Sequence, residues 1–165
     1  MKIAVVYYSF DGNTETAARE VAKVLSADLF AIETKKALPR GFLTYIFGGK
    51  QVIFKENPEI GDLSFNPDAY DKIILGAPCW AGNIAPAMKT FLQKYQLKNK
   101  EIALLLCHAG GAKDKTFEKW KKNLDASNKV VAEKKMFNPK KFQPARSLSV
   151  VGNWAQDIWE RETTT

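Results

Sequence analysis

The sequence predicts an α/β fold: a doubly wound, five-stranded parallel sheet, strand order 2-1-3-4-5, with helices on both faces. Apolar runs of strand length alternate with amphipathic segments of helix length, which is typical of βαβ units. The apolar runs are continuous, as expected of parallel strands buried on both faces. The chain has 165 residues, 45% of them hydrophobic, which suits one domain with a sizeable core. We therefore expect a single domain over residues 1–162 and a frayed tail at 163–165.

The N-terminal elements are read from their periodicity. Lys2–Tyr8 is the first strand, and Asn13–Leu25 repeats apolar residues at the spacing of a helix. Ala27–Thr34 is a short second strand, and Tyr70–Ala77 is a buried third strand.

The C-terminal elements continue the alternation. Ala85–Tyr95 is helical, because Pro86 is compatible with a first helical turn. Glu101–Cys107 is the most apolar strand. The remaining elements are a helix, a weaker strand and a closing amphipathic helix: Lys115–Leu124, Lys129–Phe137 and Ser149–Glu162.

A long crossover, Leu38–Phe65, separates the second and third strands. Its segment Gly41–Phe54 is rich in large apolar side chains, so it has to pack against something. Three interpretations remain open: a satellite of the core, a self-association surface, or a lid beside a ligand. The chain is accordingly expected to be a monomer or a homodimer.

Composition argues against membrane-spanning, secreted and metal-binding classes of protein. No apolar run approaches the ~18 residues of a membrane span, and the N-terminus lacks a signal-peptide pattern. We therefore expect a cytoplasmic protein without membrane association. Two cysteines, Cys79 and Cys107, and a single histidine, His108, are too few for a zinc or haem framework. No metal is expected.

The net charge of +7 is unevenly distributed. The segment 113–146 carries 11 Lys and Arg against 4 Asp and Glu, which accounts for the whole excess. It is either a solvated helix face with its adjoining loop or a docking patch for an acidic redox partner protein or anionic substrate. No nucleic-acid-binding motif accompanies the charge, so a nucleic acid partner is not expected.

The first strand ends in a loop suited to a phosphate. Ser9–Thr14 is rich in hydroxyl groups, contains Gly12 and leads directly into a helix, whose N-terminal N–H groups attract anions. The chain has neither the phosphate-reaching lysine motif of nucleotide triphosphatases nor G-x-G-x-x-G. The loop therefore indicates a mononucleotide phosphate held without metal. The alternative is a helix cap formed by Ser9 or Asp11 without any ligand.

Two further loops follow the third and fourth strands, at Gly76–Asn83 and Cys107–Gly111. In a sheet of this order the carboxyl ends of strands 1, 3 and 4 are neighbours, and ligands bind at the switch point between strands 1 and 3. We expect the three loops to form one crevice.

These loops carry a resemblance to a known family. Tyr7–Thr14, Ala77–Gly82, the Gly110–Gly111 turn and the Gly41–Phe54 insert together resemble the bacterial flavodoxin-like proteins over nearly the whole chain. The resemblance implies a flavodoxin fold, noncovalently bound FMN and one- or two-electron redox chemistry.

The resemblance also implies the cofactor-binding residues. Ser9 and Thr14 would give hydroxyl hydrogen bonds to the FMN phosphate, Gly12 would allow a close approach, and Trp80 would lie against the isoalloxazine ring. Backbone and amide groups of the other residues would complete the site. The full set is Ser9, Phe10, Asp11, Gly12, Asn13, Thr14, Pro78, Cys79, Trp80, Ala81, Gly82, Asn83, His108, Ala109, Gly110 and Gly111.

Four of these residues have a second interpretation. The family commonly has Thr or Ser where this chain has Asp11, so we expect the carboxylate to point outward and cap the helix, away from the phosphate. Trp80 is alternatively a packed core aromatic, and His108 a loop residue or a general acid. Cys79 is, together with the other cysteine, an apolar filler or part of a redox dithiol.

Three functions are compatible with the sequence. The first is an FMN-dependent electron carrier between partner proteins, with no catalytic residue of its own. The second is an NAD(P)H-dependent reductase of quinones, nitro compounds or free flavin. The third is a flavin-free interaction module on the same fold.

Overall fold

The computed structural model describes residues 2–36, 57–110, 112–113 and 115–160. Among these residues, six strands form one sheet. The strands are β1 (Ile3–Tyr7), β2 (Asp28–Ala31), β3 (Lys72–Trp80), β4 (Asn83–Ile84), β5 (Glu101–His108) and β6 (Lys129–Phe137). The α-helices are α1 (Asn13–Leu25), α2 (Pro86–Tyr95), α3 (Lys115–Lys121) and α4 (Pro144–Glu160).

The predicted fold class is confirmed. The five long strands are parallel and lie in the order β2-β1-β3-β5-β6, which is the predicted 2-1-3-4-5 when the strands are counted without β4. The additional β4 was not predicted. It has only two residues and pairs antiparallel with the end of β3 through a tight hairpin, so it leaves no periodic signal in the sequence.

The core has two layers because successive residues of a buried strand point to opposite faces. Ile73 and Leu75 of β3 pack on the face covered by α2 and α3, where Phe91 and Trp120 are fully buried. Ile74 of β3 packs on the other face. Residues of β1, β5, α1 and α4 complete that second layer, including Val5, Leu105, Ala18, Val21, Val151 and Ala155.

Several boundaries differ from the predictions. Strand β3 continues to Trp80 instead of ending at Ala77, because β5 pairs with it as far as Pro78 and β4 pairs with its last two residues. Helix α4 begins at Pro144, five residues before the predicted Ser149, since proline is well suited to a first helical position. Helix α3 ends at Lys121, before Leu124.

Parts of the predictions lie outside the described residues. These are the Gly41–Phe54 insert, Gly111 and the tail at 163–165. Among the residues that the structure does describe, no helix is both long enough and apolar enough to cross a membrane.

Candidate functional site

The carboxyl ends of β1, β3 and β5 border one cleft. Its lining comes from all three predicted loops and from the turn after β6: Phe10, Asp11, Asn13, Pro78, Cys79, Trp80, Cys107, His108, Ala109 and Asn138. The structure thus brings eight of the predicted site residues to a common surface. The parallel pairing explains this, because Tyr7 lies opposite Gly76 and Pro78 opposite Cys107, so the three strands end at the same edge.

The loop after β1 is folded as a helix N-terminus. Gly12 is the N-cap residue of α1 and has a φ of 86°, a conformation that glycine adopts without steric cost. The N–H of Gly12 donates to the Ser9 hydroxyl at 3.2 Å. The helical bonding begins with Thr16, whose N–H donates to the Gly12 carbonyl at 3.0 Å. The N–H groups of Thr14 and Glu15 precede this bond and have no acceptor within the helix.

Thr14 has an unsatisfied hydroxyl. The residue is 1% exposed, and among the described residues its Oγ1 atom makes no hydrogen bond of standard geometry; its one polar neighbour is the Cys107 thiol, a weak acceptor. An unpaired buried hydroxyl costs about 1–3 kcal/mol, so native proteins rarely retain one without a reason. A ligand atom at the N-terminus of α1 would give this hydroxyl the partner that the protein does not provide.

Asp11 accepts hydrogen bonds from the first residue of α1, which is one part of the expectation from the sequence. Its carboxylate accepts from the Asn13 backbone N–H at 3.1 Å and from the Asn13 side-chain amide at 2.6 Å. The residue at the N-cap position itself is Gly12. Asp11 also lines the cleft, and the expected outward direction of its carboxylate stays a prediction.

Gly76 allows the loop of residues 9–14, called the phosphate loop here after the ligand that the sequence predicts for it, to lie close to the sheet. A Cβ at this position would be 3.1 Å from Tyr7 Cβ and 3.2 Å from Thr14 Cγ2, which is tighter than ordinary packing. The carbonyl of Gly76 also accepts from the Tyr8 N–H at 2.9 Å. A side chain at residue 76 would therefore push Thr14, and with it the N-terminus of α1, away from the sheet.

Trp80 forms an inner wall of the cleft. It is 6% exposed and makes edge-on contacts with Tyr8 and Phe10, with ring centroids 5.9 Å apart in each pair. This placement has features of both earlier interpretations, since Trp80 is packed like a core aromatic and also lines the cleft. Contact between Trp80 and a flavin ring stays a prediction.

Ala81 and Gly82 form the tight turn between β3 and β4. Both have positive φ, 49° and 72°, and two such residues are typical of a type I′ hairpin. The Gly82 carbonyl accepts from Thr116 Oγ1 at 3.3 Å and from Lys119 Nζ at 3.4 Å, so α3 anchors the turn. Asn83 donates from its side-chain amide to the Ala81 carbonyl at 3.2 Å. These three predicted residues form the hairpin beside the cleft and do not line the cleft itself.

His108 ends β5 and is half-buried. Its Nδ1 atom accepts from the Gly110 N–H at 3.3 Å, which leaves the proton of the neutral ring on Nε2. Burial and the positive charge of Lys135 lower the pKa of His108 below 6.5. The neutral ring is therefore the form present near pH 7, which fits a structural loop residue better than a general acid.

The two cysteines lie on opposite faces of the sheet. Cys79 packs in the layer under α2 and α3, whereas Cys107 packs in the layer under α1 and α4. Burial raises the pKa of Cys107 to about 12 and raises that of Cys79, so neither forms a thiolate readily. This geometry favours the filler interpretation over a redox dithiol.

The sequence analysis missed the turn that follows β6. Asn138 lines the cleft, and the Lys140 N–H donates to Asn13 Oδ1 at 3.0 Å. A Cβ on Gly12 would lie 2.7 Å from Lys140 Nζ, so the lysine side chain covers the phosphate loop. Applying the carboxyl-end rule to the last strand as well would have identified this turn. Among the described residues, no cluster of three or more potential metal ligands occurs.

Three solved structures share this architecture. A flavoprotein from Lactobacillus acidophilus NCFM, determined in complex with FMN, is 20% identical with a TM-score of 0.67, covering 87% of this chain and 97% of its own. A protein described as a flavoprotein from Bacteroides eggerthii is 21% identical with a TM-score of 0.73, covering 95% and 97%. Oxidised flavodoxin 2 from Bacillus cereus is 18% identical with a TM-score of 0.61, covering 98% and 99%.

These identities establish a common fold and no more. The sequence pattern of one family gives the closer assignment, because the model described as flavodoxin matches residues 2–157, almost the entire chain. The match includes β1, the phosphate loop, β3, β5 and the turn after β6. The chain therefore belongs to the flavodoxin family.

Proposed function

We propose that this protein binds FMN noncovalently in the cleft and transfers electrons between partner proteins. The buried Thr14 hydroxyl at the N-terminus of α1 carries the proposal, because the only group that the described part of the protein offers it is the Cys107 thiol, a weak acceptor, and a phosphate oxygen would be a stronger one. The FMN complex of the Lactobacillus acidophilus relative, which has the same fold, supports FMN as that ligand.

Two regions of the cleft would bind different parts of FMN. The N-terminus of α1 would hold the phosphate through the Thr14 hydroxyl and the first helical N–H groups. Phe10, Trp80 and His108 would enclose the ring, since their side chains line the adjoining part of the cleft. Bound FMN supplies one- or two-electron redox chemistry, and the protein provides binding, orientation and exclusion of water.

A visible absorption spectrum tests the cofactor. The purified protein, reconstituted with FMN and freed of excess by gel filtration, should retain a flavin spectrum. Riboflavin under the same conditions should bind more weakly, because it lacks the phosphate. Protein that remains colourless after reconstitution would refute FMN binding and favour the flavin-free interaction module.

Stopped-flow mixing separates carrier from reductase. We expect no rapid bleaching of the bound flavin by NADPH or NADH alone, and rapid bleaching when a flavodoxin reductase is added. Rapid bleaching by NADPH in the absence of a second protein would refute the carrier proposal and establish the NAD(P)H-dependent reductase instead.

We further propose that an acidic redox protein docks beside the cleft. Phe137 and Phe142 are 44% and 51% exposed, and their rings lie 5.3 Å apart. Phe137 also contacts the His108 ring at 5.7 Å, which connects this exposed pair to the cleft. Lys141 and Arg146 add positive charge from the segment 113–146. An apolar centre with a charged rim is typical of a transient interface.

Electron exchange with an acidic ferredoxin tests this surface. The rate should fall as salt is raised, since electrostatic steering is screened by ions. Lys141→Glu should slow the exchange at low salt, whereas the matched change Lys98→Glu, outside the basic segment, should not. Equal rates for both variants would refute docking at this surface.

A further inference from the structure

The phosphate loop is covered by a cation from a distant part of the chain. Lys140 lies in the turn between β6 and α4, and its Nζ atom would be only 2.7 Å from a Cβ on Gly12. The ammonium group thus occupies the side of Gly12 that a side chain would otherwise fill. Glycine at this position serves two purposes, a positive φ and room for the lysine.

The position of Lys140 is fixed through Asn13. The Asn13 side chain is buried, accepts from the Lys140 N–H at 3.0 Å and donates to Asp11 at 2.6 Å. One amide therefore connects the lysine's backbone, the loop carboxylate and the first residue of α1. The turn is held from its other end by the Asn138 N–H, which donates to the His108 carbonyl at 2.9 Å.

A phosphate bound at this loop would lie near a negative charge, so a nearby cation would stabilise it. A phosphate monoester carries a charge of about −1.5 to −2 near pH 7, and the Asp11 carboxylate would repel it. Among the described residues, Lys140 forms no ion pair, so its ammonium is available to a bound anion. The buried Thr14 hydroxyl at the same helix N-terminus has only the weak Cys107 thiol as a partner, so it too could donate to a bound anion.

We propose that Lys140 is a phosphate-binding residue that makes the cleft selective for phosphorylated over unphosphorylated flavin. The proposal rests on FMN binding as described above and adds a cation to the hydroxyl and backbone groups that the sequence analysis assigned to the phosphate. The lysine would offset the charge of Asp11, so both residues would act on the phosphate and neither on the flavin ring.

Binding of FMN and riboflavin to flavin-free protein tests the proposal. A charge-assisted hydrogen bond to phosphate corresponds to about a 10- to 100-fold change in affinity. Lys140→Met should weaken FMN binding by about this factor and leave riboflavin binding unchanged. Lys140→Arg should retain most of the affinity for FMN. Lys98→Met, the same charge change at the opposite edge of the sheet, should alter neither ligand.

Salt and inorganic phosphate test the interaction of Lys140 with the anion separately from contacts to the flavin ring. FMN affinity of the wild type should fall with salt more steeply than that of Lys140→Met. Inorganic phosphate should raise the thermal midpoint of the flavin-free wild type, and raise that of Lys140→Met less. Circular dichroism of the variant should match the wild type, because Lys140 is an exposed residue.

The possible outcomes separate the two proposals. If the wild type binds no flavin, the proposed function fails, and the phosphate response alone decides the role of Lys140. If FMN binds to the wild type and to Lys140→Met with equal affinity, FMN binding stands and the role of Lys140 is refuted. Equal weakening of FMN and riboflavin binding would also refute it, since the lysine would then act on the ring or the fold.

Discussion

Replacing Thr14 with valine should stabilise the flavin-free protein while weakening FMN binding. Valine preserves the shape of the side chain and removes only the hydroxyl, which is buried and makes no hydrogen bond of standard geometry, its one polar neighbour being the weakly accepting Cys107 thiol. Removing an unsatisfied buried hydroxyl should raise the free energy of unfolding by about 1 kcal/mol. The same change removes a hydrogen bond to phosphate of about 1.5–3 kcal/mol, so the Kd for FMN should rise about 10- to 100-fold.

Thr16→Val is the matched control, two residues further along the same helix. Its hydroxyl donates to the Gly12 carbonyl at 2.8 Å, so the valine variant loses a bond that the protein itself makes. We expect this variant to lose about 0.5–1.5 kcal/mol of stability and to keep its affinity for FMN. The two threonine variants should thus shift stability in opposite directions.

Urea unfolding of the flavin-free proteins, followed by tryptophan fluorescence, measures the stability changes. Quenching of flavin fluorescence during titration measures the affinities for FMN and riboflavin. A Thr14→Val protein that binds FMN as tightly as the wild type would refute the assignment of this hydroxyl to the phosphate. Loss of riboflavin affinity to the same extent would show that the substitution disturbs the cleft as a whole.

Three further predictions concern the backbone and the histidine. Ala81→Gly should raise stability by about 1 kcal/mol because it removes a left-handed non-glycine residue, whereas Gly82→Ala should lower it by a similar amount in denaturant unfolding. Gly76→Ala should lower the free energy of unfolding by about 1–3 kcal/mol through overpacking. It should also weaken FMN binding, because the added methyl group would displace the phosphate loop. Gly152→Ala is its control: a Cβ there meets Val24 at an ordinary 3.5 Å, so the variant should unfold no more easily than the wild type. The pKa of His108 is lowered in the folded protein, so the neutral histidine leaves the free energy of unfolding at its full value above pH 6.5. That free energy should decrease as the pH falls from 6.5 through the folded-state pKa, because the buried ring then has to accept a proton. A His108→Gln protein should lose less stability over the same pH range.

The sequence by itself determined the fold class, the order of the five long strands and the position of the loop at residues 9–14 that leads into α1. The elements themselves depend on information that is local in the chain, and their order follows from the general topology of doubly wound sheets. Continuous apolar runs define buried parallel strands, and the helical repeat after Asn13 defines α1. The three loops could then be assigned to one edge, because parallel strands place their carboxyl ends together.

Only the tertiary structure decided what surrounds that loop. Lys140 lies 127 residues from Asn13 along the chain, yet their groups are 3.0 Å apart. The opposite faces of Cys79 and Cys107, and the short β4, likewise depend on pairing between strands and leave no periodic signal in the sequence. Close contacts of this kind follow from how packed elements meet in space, so a pattern read along one segment cannot contain them.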